Sequence, residues 1–197
     1  MKLENISKSF SNHSGSTVKV FDSFSLNLAQ GGVHCITGPS GCGKTTLLNI
    51  IAGVLKPEGG KVVFEKEEKG PVSYLFQEPR LLPWRTVLEN CTLVCDDVSR
   101  ARHFLELAAL SDKENRFPSE LSGGERQRAA FARAFCYKSN VILMDEPFQN
   151  LDEGLKKNLA SVFFKMLEED RRTVVWVSHD KELAKQYAKQ IIDLTSR

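Results

Sequence analysis

Two hydrophobic periods alternate along the chain. Over residues 19–28 the apolar positions Val20, Phe21, Phe24, Leu26 and Leu28 are interleaved with polar ones, the two-residue period of a half-buried strand. Gln30-Gly31-Gly32 predicts a turn, and Val33–Thr37 is a short apolar run that enters a glycine-rich loop. Over 45–55 the period changes: Leu47, Leu48, Ile51, Ala52 and Leu55 fall at helical spacing, with Pro57 as the expected stop. Residues 61–64 and 72–76 predict the two strands of a hairpin, with the charged stretch 65–70 as its solvated tip, and 79–83 is a loop. Residues 86–110 are expected to be mostly helical, with Ala101, Phe104, Leu105 and Ala108 on one face, and 120–135 contain another helix. Residues 141–144 and Thr173–Val177 are unbroken apolar, β-rich runs, suited to parallel strands covered on both faces. A helix at about 155–169 supplies the crossover between them, and 191–194 is a last short strand.

Strands alternating with helices predict an α/β fold. The helical stretch at about 83–135 interrupts the alternation and is expected to be a small subdomain inserted into a single domain spanning 1–197, a length that suits one compact unit. A net charge of +2 argues neither for nor against a nucleic-acid partner, and no lysine or arginine run is long enough to look like a nucleic-acid arm. No apolar stretch reaches the roughly 18 residues needed to span a bilayer. The first nine residues alternate in charge and lack the apolar core of a signal peptide, so the chain is expected in the cytosol, with any membrane role exercised through a partner. The five cysteines are an odd number without CxxC spacing. They are expected to be small buried hydrophobes in a reducing compartment rather than metal ligands.

The glycine-rich loop carries the first chemistry. Gly38-Pro39-Ser40-Gly41-Cys42-Gly43-Lys44-Thr45 fits the P-loop pattern GxxxxGK followed by Ser or Thr. Glycines let successive backbone N–H groups face one anion, and the helix that follows adds the positive end of its dipole. Lys44 supplies a point charge for the β- and γ-phosphates, and the Thr45 hydroxyl is a hard oxygen ligand for Mg²⁺. Nucleotide contact is expected along Gly38 to Thr46. Farther on, Val141-Ile142-Leu143-Met144-Asp145-Glu146-Pro147 is a buried strand ending in two carboxylates. Asp145 can hold Mg²⁺ through water; Glu146, one residue on, can take a proton from an attacking water.

Between these two stands Leu121-Ser122-Gly123-Gly124-Glu125-Arg126-Gln127. Ser122 can cap a helix, and the two glycines leave N–H groups open to an anion. In this order the segment resembles the signature motif of ABC ATPases, and the resemblance covers essentially the whole chain. It implies a P-loop NTPase core of the ABC type with an inserted helical subdomain. Gln77 resembles the glutamine that reaches Mg²⁺ and the attacking water, so Thr45, Gln77 and Asp145 are the implied metal ligands. Leu151-Asp152 matches the end of the D-loop, although Gln149-Asn150 replaces the commoner small pair. His179 resembles the switch histidine on the γ-phosphate, and Phe10 the aromatic that stacks on adenine. The resemblance further implies that ATP is sandwiched between two such subunits, a homodimer or a dimer with a relative. The P-loop of one then faces Leu121, Ser122, Gly123, Gly124, Glu125 and Gln127 of the other.

The segment from Phe76 to Asn90, Phe-Gln-Glu-Pro-Arg-Leu-Leu-Pro-Trp-Arg-Thr-Val-Leu-Glu-Asn, discriminates among branches. Its Leu-Pro-Trp after the glutamine is similar to importers of the nitrate, sulfonate and taurine group, and so is Phe148 after Pro147. That likeness implies integral-membrane permease subunits and a solute-binding protein as partners, and a place on the inner face of the membrane. The helical insert and the 61–76 segment are short for that group, and with the sequence ending at Arg197 no C-terminal regulatory domain is expected. An exporter or lipoprotein-release engine is the runner-up. A P-loop GTPase is excluded by the lack of DxxG and N/T-KxD. A soluble ABC ATPase acting on nucleic acid is disfavoured by the lack of a long coiled-coil insert or a second ATPase domain.

Overall fold

The computed structural model describes residues 1–11, 16–65, 70–149, 151–170 and 172–195. The chain divides into two compact units, Met1–Gly70 with Thr173–Arg197, and Pro71–Arg172.

In the first unit β1 (Lys2–Ser11) lies between β2 (Thr17–Asn27) and β4 (Gly59–Val63), antiparallel to both. A second set of strands is parallel, with β3 (Val33–Thr37) between β7 (Thr173–Val177) and β8 (Gln190–Asp193). Every residue of β7 is buried, and so is β3 up to Ile36, which is why both are continuous apolar runs. Two helices belong to this unit, α1 (Lys44–Ile51) after β3 and α6 (Lys181–Tyr187) after β7.

In the second unit β5 (Val72–Leu75) and β6 (Val141–Asp145) are parallel neighbours, and the helices α2 (Val87–Thr92), α3 (Val98–Leu107) and α4 (Gly123–Cys136) lie between them in sequence. After β6 comes α5 (Glu153–Asp170). Phenylalanines join the helices: Phe104 of α3 stacks on Phe135 of α4 at 5.5 Å, and Phe131 and Phe135 each meet Phe163 of α5 at 5.3 Å. The carbonyls at the end of α4 would otherwise lack partners. Arg172 donates to Ala134, Phe135 and Tyr137, and Arg100 to Phe135 and Cys136.

The structure revises two expectations and adds two elements to those expected. Segments 61–64 and 72–76 do not form a hairpin: β4 pairs with β1, Leu3 opposite Val62, whereas β5 pairs with β6, Leu75 opposite Met144. Residues 66–69 of the supposed tip lie outside the described residues. The helix after the glycine-rich loop ends at Ile51 rather than near Leu55. Gly53 at φ 72° turns the chain left-handed, and Gly53, Val54 and Leu55 donate to the last carbonyls, so glycine and not Pro57 is the stop. The mostly helical 86–110 stretch is made of α2 and α3, separated where Asp96 has φ 42° and Asp97 caps α3. The added elements are α6 and β1, and in β1 register shifts after Leu3, Ile6 and Lys8 destroy the two-residue alternation.

Candidate functional site

Each unit brings part of its candidate residues to one end of paired parallel strands. In the first unit Ile36 of β3 stands opposite Val177 of β7. Gly38 and His179 each follow two residues later, so the glycine-rich loop and the histidine leave adjacent strands at the same end. In the second unit Leu75 stands opposite Met144. Gln77 and Glu146 again follow two residues later, and Asp145 ends its strand between them.

The loop at 38–45 is shaped by its glycines. Gly38, Gly41 and Gly43 have φ of 145°, 78° and 101°. At Gly43 the restriction is also steric, since a Cβ would lie 2.5 Å from Val20 Cγ1 and 3.1 Å from Phe21 Cζ. The left-handed residue at the start of α1 therefore has to be glycine. Lys44, 5% exposed, folds back along the loop and donates to the carbonyls of Gly38 (2.9 Å) and Pro39 (3.0 Å). Thr45 is exposed, and Cys42 and Thr46 are half-buried. A glycine-shaped cradle, a helix N-terminus, a lysine and an exposed hydroxyl fit a nucleotide's phosphates with a hard cation. His179 is exposed, followed by Asp180, whose carboxylate caps α6 through Glu182 N and Leu183 N at 3.0 Å each. Phe10 is 42% exposed on β1, with the Lys8 ammonium 5.4 Å from the ring centroid.

In the second unit Glu146 adopts φ 49°, a left-handed turn that a non-glycine residue keeps only where its surroundings hold it. Asp145 accepts a hydrogen bond from the Tyr74 hydroxyl at 3.5 Å. Burial first, and the Asp145 charge second, push the Tyr74 phenol well above its usual range, so it remains a donor. Sequence reasoning missed Tyr74: nothing local marks a tyrosine of β5 as the partner of an aspartate 71 residues on. Gln77 is exposed.

The signature segment forms a capping box at the start of α4: Ser122 Oγ accepts from Glu125 N (3.2 Å), and Glu125 accepts from Ser122 N (2.7 Å). The Ser122 N–H is the main reason the Glu125 carboxyl lies below the usual range. Leu121 is buried. A Cβ on Gly123 would meet the Arg126 Nη2 at 4.0 Å, an ordinary contact, whereas one on Gly124 would lie 2.9 Å from Leu155 Cδ1 of α5. Gln127 is buried and donates to Pro147 O at 3.1 Å, so the signature helix is tied to the residue after Glu146. Asp152 is exposed and accepts from Leu155 N at 2.9 Å, capping α5; Asn150 lies outside the described residues.

After Gln77, Leu81 and Leu82 are half-buried, while Trp84 is 68% exposed. Packing therefore accounts for the leucines but not for the tryptophan.

The chain as a whole is similar to known proteins. A family model described as ABC transporter matches residues 21–149. An aliphatic sulfonates import ATP-binding protein of Bacillus cereus is 34% identical over all of this chain and 82% of its own length. The protein of the same name from Zymomonas mobilis is 38% identical over 90% of this chain and 77% of its own length. Among solved structures, a dimeric ATP-binding cassette bound to ADP and Pi has a TM-score of 0.80 at 31% identity, over 98% of this chain and 93% of that one. Among the described residues no helix is long and apolar enough to cross a membrane. Motif order, strand-end geometry and these likenesses converge: the chain belongs to the ABC transporter family, as one of its ATP-binding, ATP-hydrolysing subunits.

Proposed function

We propose that this ATPase powers uptake of a small solute of the nitrate, sulfonate or taurine kind, through a permease on whose cytoplasmic face it docks and with which a solute-binding protein works. The exposed Trp84 in the loop after Gln77 carries this reading. An apolar residue held out to solvent, beside a residue that senses the γ-phosphate, is what coupling to a partner requires. Relatives named as import ATP-binding proteins support the direction of transport.

ATP is held in a head-to-tail pair of subunits, Gly38 to Thr46 of one copy facing Leu121, Ser122, Gly123, Gly124, Glu125 and Gln127 of the other, with Asp152 at the contact of the pair. Phe10 stacks on the adenine. Lys44 leaves its own loop carbonyls for the β- and γ-phosphates. Glu146 accepts a proton from the water that attacks in line, which Gln77 and His179 orient against the γ-phosphate. Thr45, Gln77 and Asp145 would hold Mg²⁺, which when bound offsets the charge of the phosphates.

Glu146→Gln keeps shape and hydrogen bonding but cannot take the proton. We expect it to bind ATP, to hydrolyse it on the order of 10²–10⁴ times more slowly, and to form ATP-dependent pairs visible by light scattering. Hydrolysis at the parent rate would remove Glu146 as the base. Trp84→Ala is expected to leave ATP affinity intact and to weaken association with the permease roughly thirtyfold. Undiminished uptake by a reconstituted complex would reject the docking role.

A further inference from the structure

The loop between Gln77 and α2 has no regular structure, yet two side chains gather its main chain. Asn90, wholly buried in α2, accepts from Leu82 N (2.8 Å) and donates to the carbonyls of Leu82, Arg85 and Thr86 at 3.2, 3.1 and 2.9 Å. Arg133, in the last turn of α4, donates to Pro79 O (2.9 Å), Arg80 O (2.9 Å) and Asn90 Oδ1 (3.4 Å). Arg133 thus reaches the loop directly, through two carbonyls, and indirectly through Asn90. Its helix is fixed at both ends, by the Ser122 capping box and by Arg100 and Arg172. Arg80 beneath the clamp is left-handed at φ 45°, with its guanidinium 3.8 Å from the Phe76 ring centroid, so the loop keeps a conformation that its own residues do not favour.

We propose that Arg133 is a positioning residue: it ties the loop that presents Trp84 to the signature helix, so that the two move as one body when ATP draws the signature toward a second copy. The inference rests on the docking reading of Trp84. A planar fork that spans two consecutive carbonyls fixes orientation as well as distance; a lysine in its place reaches one acceptor at a time and leaves the loop free to swivel.

The chain contains its own reporter. It has two tryptophans, Trp84 exposed and Trp176 wholly buried, so the emission that acrylamide quenches belongs to Trp84. In a Glu146→Gln background, which retains ATP, Mg·ATP is expected to change the quenching slope. Arg133→Met should raise the slope without nucleotide and reduce the ATP-dependent difference at least about twofold, with ATP affinity by calorimetry held within about twofold. Arg133→Lys should fall between, and carries the test if the Met variant does not fold. An unreduced ATP-dependent difference in the variants, or no such difference in the parent background, overturns the tie. So does loss of ATP binding in both variants, which would make Arg133 a folding residue. The permease takes no part in this measurement, so a failed tie is distinguishable from a failed docking role, which Trp84→Ala tests by uptake.

Discussion

The phosphate loop at 38–45 and the loop at 79–86 are both irregular segments that follow a parallel strand, and they are held by opposite means. The first is shaped from within. Three glycines in eight residues take left-handed or otherwise unusual angles and turn the backbone, and its lysine closes on its own carbonyls. The second contains no glycine. It is shaped from without, by Asn90 and by Arg133, which lies 43 residues from Asn90 in the chain. A loop that makes its own shape can meet a ligand common to a whole family. A loop shaped by a distant helix takes its position from that helix, as a coupling element must.

Substitutions separate the two regimes. The largest effect on stability is expected for Gly43→Ala. It places a side chain at φ 101° and 2.5 Å from Val20 Cγ1. Left-handed geometry and overpacking together should cost about 2–5 kcal/mol by denaturant unfolding, with loss of ATP binding in calorimetry. A stable, ATP-binding Gly43→Ala variant would mean that this loop also depends on something outside itself. Asn90→Ala should cost about 1–3 kcal/mol, because the Leu82 N–H and the Arg85 carbonyl lose this partner, while the Leu82 and Thr86 carbonyls are left with their main-chain donors Arg85 N and Asn90 N. ATP affinity should be retained, and hydrogen exchange at the Leu82 amide should quicken; unchanged protection there would place the loop's restraint elsewhere. The smallest effect is expected for Ser122→Ala, about 1 kcal/mol from loss of the α4 cap. That helix is also held by its phenylalanines and by Arg100 and Arg172. A loss several times larger would make the signature segment resemble the phosphate loop, dependent on its own local geometry.

Most of the site's residue types were legible because their chemistry is local. A P-loop needs glycines next to lysine and threonine, a helix cap needs Ser122 three residues before Glu125, and a buried strand has to end where Asp145 and Glu146 begin. The cysteines show the limit of such reading. Cys35, Cys91 and Cys136 are buried as expected, and desolvation pushes the Cys35 thiol up to about 12, but Cys42 and Cys95 are only half-buried.

By itself, then, the sequence determined the α/β class, the order of strands and helices from β2 to β7, and the nucleotide chemistry, since hydrophobic period and backbone freedom are properties of short segments. Tertiary structure alone decided which strands pair. β4 and β5 are near neighbours in sequence, yet one joins β1 and the other β6, because a strand pairs through backbone N–H and C=O groups that every sequence presents alike. Tertiary structure alone also brought the Tyr74 hydroxyl to Asp145, kept Trp84 in solvent while Leu81 and Leu82 sank, and set Arg133 against Pro79 and Arg80. Contacts between residues some 50 to 70 positions apart leave no periodic trace in the chain; they arise only when packed helices and strands bring their side chains within hydrogen-bonding reach.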